Sequence, residues 1–482
     1  MTGTIREIVI IASCLAPFPA LLAAQVARPQ RPSVVRDSTS PDSIKRRAPR
    51  RLAVTAEAQR TAFRDDRARE LVLRARSVRL TQDSSLHAYD ASVRQRLTAR
   101  MGIGAAGLQR VVFRQESAAR VQWDAAIGAR VDVTGARVGI PVGPPDAERD
   151  DLESSLIDGE MTTVPYLPGR EATLLGLQAA RTDVDDREIV QPLAEGAEAY
   201  YTYASGDSVS WTLPNGRSVR LREIAIRPRS PKWNLAVGSF WFDVETGTLV
   251  RAAYRLAVPL NVWTVIDERS GEGGTRTNPI LEKIAKSIVS PFRFEITGIT
   301  IEYGLFDGRY WLPRSRSLEG TQQFSFAHLS VVLEQAFSYP RINGPATIQA
   351  VVLNQPEADP LEPPDSLTGD ALRKWRDSVW SARAKARRAF ADSIHKAPCD
   401  STGRRVAART RGGIPIAVTY PCDVASLTTS PDFDKPLYDA NDALFGTEQR
   451  DALLSDALPF SAQALIKLSE LPRPDVEYGL AL

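Results

Sequence analysis

At 482 residues, 43% hydrophobic and 25% charged, the chain has enough length for a sizeable core and for more than one structural unit. Its 61 basic and 58 acidic side chains leave a formal net charge of +3, too small an excess to drive nucleic-acid binding. Three cysteines and three histidines are too few and too scattered for a zinc framework.

Residues 1–24 read as a secretory signal: Arg6, an apolar run from Ile8 to Leu22, then Ala23-Ala24-Gln25, with cleavage expected after Ala24. Ile11-Ala12-Ser13-Cys14 has the outline of a lipoprotein box, but apolar residues continue past the cysteine. Once the signal is removed Cys399 and Cys422 remain, an even pair expected to form a disulfide in an oxidising compartment. Residues 25–52, rich in Pro, Ser and Arg, read as a disordered basic linker. An amphipathic helix is predicted from Thr55 to Arg79, its apolar side carried by Phe63, Leu71, Val72, Ala75 and Val78.

Strands follow from His87 to Arg137. Gly102, Gly104 and Gly107 spell a formal GxGxxG, but the charged run before it, with Arg94, Arg96 and Arg100, is no buried parallel strand, so a hairpin loop is the reading. Residues 141–191 form an acidic, proline-containing insertion. From Ala197 to Pro259 apolar and polar residues alternate between turn signals at Gly206-Asp207, Asn215-Gly216 and Thr246-Gly247, the pattern of an antiparallel meander. Phe240 and Phe242 oppose Trp241 across their strand. A short helix is predicted near 279–287. Further strands are expected at 292–305, 310–312, 325–337 and 346–353.

Residues 354–369 read as a linker, and 370–482 as a C-terminal region of a charged helix (370–396), the Cys399–Cys422 loop and short helices near 448–458 and 461–471. The fold class is therefore mainly β with helices (α+β): a curved antiparallel meander or half-barrel over residues 53–353, with packed helices.

Catalytic chemistry leaves no signature. His87, His328 and His395 stand far apart without HExxH, and GxSxG, CxxC and GxxxxGK are missing. No catalytic residue, metal ligand or cofactor is assigned. Arg227, Arg229, Arg251 and Arg255 could offer guanidinium forks to anionic head groups.

The helix at 68–79 and the hairpins through Tyr201, Trp211, Val219, Phe240, Phe242 and Val250 resemble the periplasmic lipoprotein-carrier fold of the LolA, LolB and RseB type. That resemblance implies an incomplete barrel wrapped around helices, with an apolar cavity for acyl chains. Phe240, Trp241, Phe242, Tyr254, Phe294 and Trp311 are the candidates for its lining. Val219 with Arg227-Pro228-Arg229, the run Val237 to Asp243, and Thr246-Gly247 with Leu249-Val250-Arg251 are similar to large bacterial surface proteins of uncharacterised function. Those carry such a domain ahead of an outer-membrane β-barrel. Nothing after Glu470 supplies alternating ten-residue membrane strands, so the barrel is expected either to be missing from this chain or to be provided by a partner. The expectation is a non-enzymatic periplasmic binding or assembly module at the outer membrane, with lipid or a lipoprotein acyl chain and a barrel as partners, and no nucleic acid. The alternative is a secreted hydrolase whose site is assembled only in the fold.

Overall fold

The computed structural model describes residues 51–103, 109–139, 163–174, 177–180, 189–212, 218–259, 293–323, 327–344, 397–411 and 414–434, with single positions between them such as 152, 156, 390, 394 and 437. The expected helices near 279–287, 448–458 and 461–471, the strand at 346–353 and the Asn215-Gly216 turn lie outside these residues.

The expected single N-terminal helix is two. Helix α1 (Ala56–Ala62) starts at Thr55, whose hydroxyl accepts the Ala58 N–H, and α2 (Asp66–Ser85) starts at Asp65, whose carboxylate accepts the Ala68 N–H. Between them Phe63 leaves the helix and makes a parallel bridge to Tyr203, with the two rings stacked 5.2 Å apart. The Arg64 N–H donates to the Tyr203 carbonyl at 2.9 Å. A side-chain cap and a piece of sheet edge together outweigh helical continuity here.

Twelve strands form one unclosed sheet. In chain order they are β1 (Ala88–Ile103), β2 (Gln109–Asp124), β3 (Gly128–Gly139), β6 (Tyr201–Thr212), β7 (Ser218–Pro228), β8 (Ala236–Asp243), β9 (Leu249–Leu256), β10 (Arg293–Phe306), β11 (Tyr310–Gln323), β12 (Ala327–Ile342), β13 (Arg404–Arg411) and β14 (Ile414–Pro421). Strands β4 (Arg170–Leu174) and β5 (Leu177–Ala180) make a separate hairpin. The order across the sheet is β13-β14-β3-β2-β1-β12-β11-β10-β9-β8-β7-β6. Neighbours are antiparallel except β14, which runs parallel to β3. Gly102 sits at the end of β1, paired with Gln109 of the antiparallel β2, while Gly104 and Gly107 of the formal glycine motif lie outside the described residues.

Alternation sets the faces. Along β1 the odd positions Tyr89, Ala91, Val93, Gln95, Leu97 and Ala99 are all buried, while Asp90, Ser92, Arg94 and Arg96 are half-buried. In the meander, Phe240 faces Ile224 on one side and Ala252 on the other, and all three are buried. Gly238 lies opposite Tyr254. A Cβ there would sit 2.2 Å from the Ala253 carbonyl oxygen and 2.5 Å from the Tyr254 Cα, so only glycine admits this approach.

Two apolar clusters lie along the sheet. In one, Ala68, Leu71, Val72 and Ala75 of α2 pack against Tyr201, Tyr203, Ile224, Phe240 and Phe242. In the other, Val93, Val121, Trp123 and Val131 pack with Leu152, Leu156, Phe390 and Ile394. On the opposite face a row of charges crosses four strands in register: Glu334 of β12, Arg96 of β1, Glu116 of β2 and Arg137 of β3. Arg96 Nε donates to Glu334 at 2.8 Å, and Arg137 Nε donates to Glu116 at 2.6 Å. Burial works against the charged Glu116, but Arg114 and Arg137 hold its carboxyl below the usual carboxylate range.

Cys399 and Cys422 are bonded, Cα to Cα 6.3 Å, at the base of the β13–β14 hairpin. That hairpin, which lies in the expected C-terminal region, joins the same sheet as the rest.

Two tests follow from these junctions. Burial raises the pKa of Asp65, but the Ser205 N–H and hydroxyl and the Ala68 N–H outweigh it and hold the carboxyl below its ordinary 3.8. Its stabilising contribution is therefore complete above that pH and is lost as pH falls below it. Asp65→Ala is expected to cost about 1–2 kcal/mol at neutral pH, and the deficit should shrink in acid, read by urea denaturation at pH 7 and pH 3. Replacing both cysteines by serine is expected to cost about 3 kcal/mol for a loop of this size, with hydrogen exchange rising first in β13 and β14.

Candidate functional site

The buried stripe of α2 runs Ala68, Leu71, Val72, Ala75 and then Arg79. The spacing of four after Ala75 keeps residue 79 on the sheet-facing side, so an arginine ends an apolar stripe and enters the interior. Arg79 is only 8% exposed. Its Nη2 donates to the Tyr303 hydroxyl at 3.1 Å, its guanidinium lies 5.0 Å from the Tyr303 ring centroid, and it stands 3.9 Å from Glu171. Tyr303 donates its hydroxyl to Glu171 Oε1, and Gln191 Nε2 donates to Glu171 Oε2 at 2.6 Å. Two donors and a guanidinium, from three separate parts of the chain, thus converge on one buried carboxylate. Burial pushes the Tyr303 phenol well above its ordinary value, so it acts as a neutral hydrogen-bond donor.

Beside this group lies a second buried guanidinium. Arg316 of β11 is 6% exposed and pairs in register with Ile301, which places it diagonally from Tyr303 on the same face. Its Nη1 donates to Gln335 Oε1 at 3.2 Å and its Nη2 to the Pro165 carbonyl at 3.4 Å. The guanidinium lies 5.5 Å from the Phe337 ring centroid. Gln335 Nε2 in turn donates to Gln95 Oε1 at 2.7 Å. These groups form a polar band adjoining both apolar clusters. Arg79 Nη1, Arg316 Nε and the Tyr339 hydroxyl, all buried, have no hydrogen-bond partner among the described residues.

Residues 163–171 run through the band as a strap. Gln335 Nε2 donates to the Thr163 hydroxyl at 2.9 Å, and the Pro165 carbonyl takes the Arg316 bond. The Tyr166 carbonyl accepts the Tyr89 hydroxyl at 2.7 Å. The Tyr166 hydroxyl donates to Asp83 at 2.5 Å and accepts from Gln82 at 3.0 Å, and the Gly169 N–H donates to Asp83 at 2.7 Å. Glu171, the first acidic residue of β4, ends the strap. Side chains of α2 and of the sheet therefore hold this segment by polar contacts along its length, with Tyr166 and Leu167 in the apolar cluster beside it.

Of the residues predicted to line a cavity, Phe240 and Phe242 are buried on the α2 side, 6.4 Å between ring centroids. Tyr254 is half-buried against Phe240 at 5.8 Å, and burial raises its phenol pKa. Trp241 alternates with Phe240 and Phe242 and takes the other face, opposite Glu223 and Arg251. Trp311 is half-buried, and Gln82 clasps its backbone at both N–H and carbonyl. Phe294 lies in β10, and its side chain falls outside the described residues.

The four arginines predicted for head groups do not converge. Arg227, Arg251 and Arg255 are exposed, with Arg251 4.0 Å from Glu302 and Arg255 donating to the Leu256 carbonyl at 3.0 Å. Arg229 ties the N-terminal helix to the turn at Glu198: it donates to the Ala58 carbonyl at 2.7 Å and the Thr61 hydroxyl at 3.0 Å, and to the Glu198 carbonyl at 2.8 Å. Among the described residues the buried arginines are Arg79 and Arg316, neither of which was a candidate from the sequence. The signal for Arg79 was its helical spacing from Leu71, Val72 and Ala75.

Among the described residues no cluster of His, Cys, Asp and Glu is placed to hold a metal ion, and no helix is long and apolar enough to cross a membrane. No protein-family model and no curated protein matches the chain. Solved structures that match include a LolA superfamily protein from Nitrosomonas europaea, at 11% identity and a TM-score of 0.17, covering 56% of this chain and 91% of that one. They also include MucB in complex with MucA(peri), at 10% identity and a TM-score of 0.13, covering 56% and 94%. The MucA/MucB complex of Pseudomonas aeruginosa matches at 10% identity and a TM-score of 0.14, covering 57% and 94%. The LolA superfamily is also the group that the sequence resembles. Superpositions this loose carry no argument, and the α+β architecture stands on the strand order described above.

The Tyr303 hydroxyl bridges a buried cation and a buried anion. Tyr303→Phe is expected to cost about 1–3 kcal/mol, seen as a lower urea midpoint with an unchanged slope.

Proposed function

We infer that this chain is an exported, non-enzymatic binding or assembly module of the cell envelope that holds an acyl chain between α2 and the face of the sheet beneath it. The observation that carries this reading is the thinness of the contact. Opposite the rings of Tyr201, Tyr203, Phe240 and Phe242, α2 presents only Ala68, Leu71, Val72 and Ala75 before its stripe turns polar at Arg79. A helix that buries so few large side chains gains little from hydrophobic contact. Much of its attachment falls instead to side-chain bonds: Arg74 to the Val244 carbonyl at 2.9 Å, Arg76 to Glu198 at 2.5 Å, and Gln82 to Trp311. Such bonds can re-form with water when the helix shifts, whereas the aromatic face gains by taking up an apolar chain.

Export is supported by the signal-like N-terminus and by the Cys399–Cys422 disulfide, which needs an oxidising compartment. Placement at the periplasmic face of the outer membrane, beside a β-barrel partner, is supported by the likeness of residues 219–251 to surface proteins that carry such a barrel. Native mass spectrometry of the full chain, purified from envelope fractions without detergent, is expected to show a mass surplus that organic solvent releases as acyl lipid. A protein that carries no such surplus, and that takes up neither palmitate nor its methyl ester once stripped, would overturn the reading.

A further inference from the structure

The donor set around Glu171 has the makeup of a carboxylate-binding site, and the chain fills it with a carboxylate of its own. Tyr303 from β10 and Gln191 from the segment after β5 each donate to one oxygen of Glu171, and Arg79 from α2 stands 3.9 Å from Oε1 as the counter-charge. The filling is incomplete. Arg79 Nη1 and Arg316 Nε remain without partners although both side chains are more than nine-tenths buried. Arg316 makes no ion pair among the described residues, so of these two buried guanidiniums only Arg79 stands beside a carboxylate. A buried donor without an acceptor is costly, which favours an anion free to set its oxygens against donors that Glu171, tethered to the strap, leaves unmet. The site also lies where the apolar stripe of α2 ends, so a head group there would continue into a chain lying along Ala75, Val72 and Leu71.

We propose that Arg79, Tyr303, Gln191 and Arg316 form the head-group site for an anionic amphiphile, a single carboxylate or phosphate on an acyl chain, and that Glu171 of the strap occupies this site until such a ligand displaces it. The proposal rests on the acyl-chain reading above and adds to it the charge of the ligand and a competitor built into the chain. Displacement frees Glu171 and loosens the end of the strap 163–171, which keeps hydrogen bonds to Gln335, Arg316, Tyr89 and Asp83. The ligand's own anion takes the place of Glu171 beside Arg79 and offers an acceptor to Arg316, and the carboxylate that leaves is rehydrated.

The test uses the full chain stripped of lipid, with sodium palmitate, methyl palmitate and inorganic phosphate titrated separately by calorimetry. Wild type is expected to bind palmitate roughly tenfold or more tightly over the methyl ester, the worth of one charge-assisted hydrogen bond. Glu171→Gln, which keeps the shape and removes the competing charge, is expected to tighten palmitate by about tenfold and leave the ester unchanged. Hydrogen exchange across residues 163–171 should rise on adding palmitate and stay low with the ester. Arg79→Gln should abolish the preference for palmitate. If that variant does not fold, the comparison of wild type with Glu171→Gln still decides the matter. Equal affinity of wild type for palmitate and its ester would overturn the head-group site and leave the acyl-chain reading standing. Binding of neither would overturn both. Palmitate affinity unchanged in Glu171→Gln would end the idea of a built-in competitor, and phosphate binding as tightly as palmitate would show a free-anion site instead.

Discussion

A guanidinium taken out of water must find acceptors, and the placement of Arg79 imposes that requirement at the centre of this molecule. Helix α2 carries it inward at the end of an otherwise apolar stripe, and the surroundings are arranged to meet its needs. Tyr303 is aimed at it from β10, and Glu171 is brought to it from a segment far along the chain. The strap from Thr163 to Glu171 is thus held where it is by polar side chains that need partners as much as by its own apolar contacts. Together with Arg316, Gln335 and Gln95 these groups form a buried polar band adjoining the two large apolar clusters. Such a band favours one arrangement of strap and helix over others, because shifting either leaves a buried charge without its partner.

The sheet supplies the rigid side of that arrangement. Its middle is the pairing of β1 with β12, two strands more than 200 residues apart in sequence, with register from Tyr89–Ile342 to Ile103–Ala327. On the face away from α2, the alternating row Glu334, Arg96, Glu116 and Arg137 fixes that register across four strands, since a one-residue slip would place every charge on the wrong face. The opposite face thereby holds Gln335, Gln95 and Arg316 in the positions from which they grip the strap. The two faces divide the work, with ion pairs setting alignment on one and hydrogen bonds fixing a removable segment on the other.

The helical layer is attached differently. Its N-terminal anchor is firm: Asp65 caps α2 and also bonds Ser205 on the edge strand β6, while Phe63 stacks on Tyr203. Arg229 fastens α1 by two bonds, to the Ala58 carbonyl and the Thr61 hydroxyl. Beyond that anchor, the contact between α2 and the sheet thins into small side chains and single hydrogen bonds. A helix fixed at one end and lightly held along its length is suited to making room beneath it without unfolding.

Much of this was legible in the sequence. Period-two alternation located the meander, because burial on one face of a strand leaves that pattern whatever the strand pairs with. The Phe240–Trp241–Phe242 alternation assigned the faces, Thr55 marked a helix start, and two cysteines left after a signal indicated the disulfide. What the pattern could not carry were relations between distant segments. Nothing local in residues 163–171 marks a strap, nothing in 404–421 says that the hairpin joins β3, and Asp65 reads as another surface acid until Ser205 is beside it. Arg79 is the clearest case: its helical spacing gave its direction, but only the tertiary structure brought Tyr303 and Glu171 to it. Hydrophobic periodicity is written within each element, whereas the partner of a buried charge is chosen by the packing of elements hundreds of residues apart.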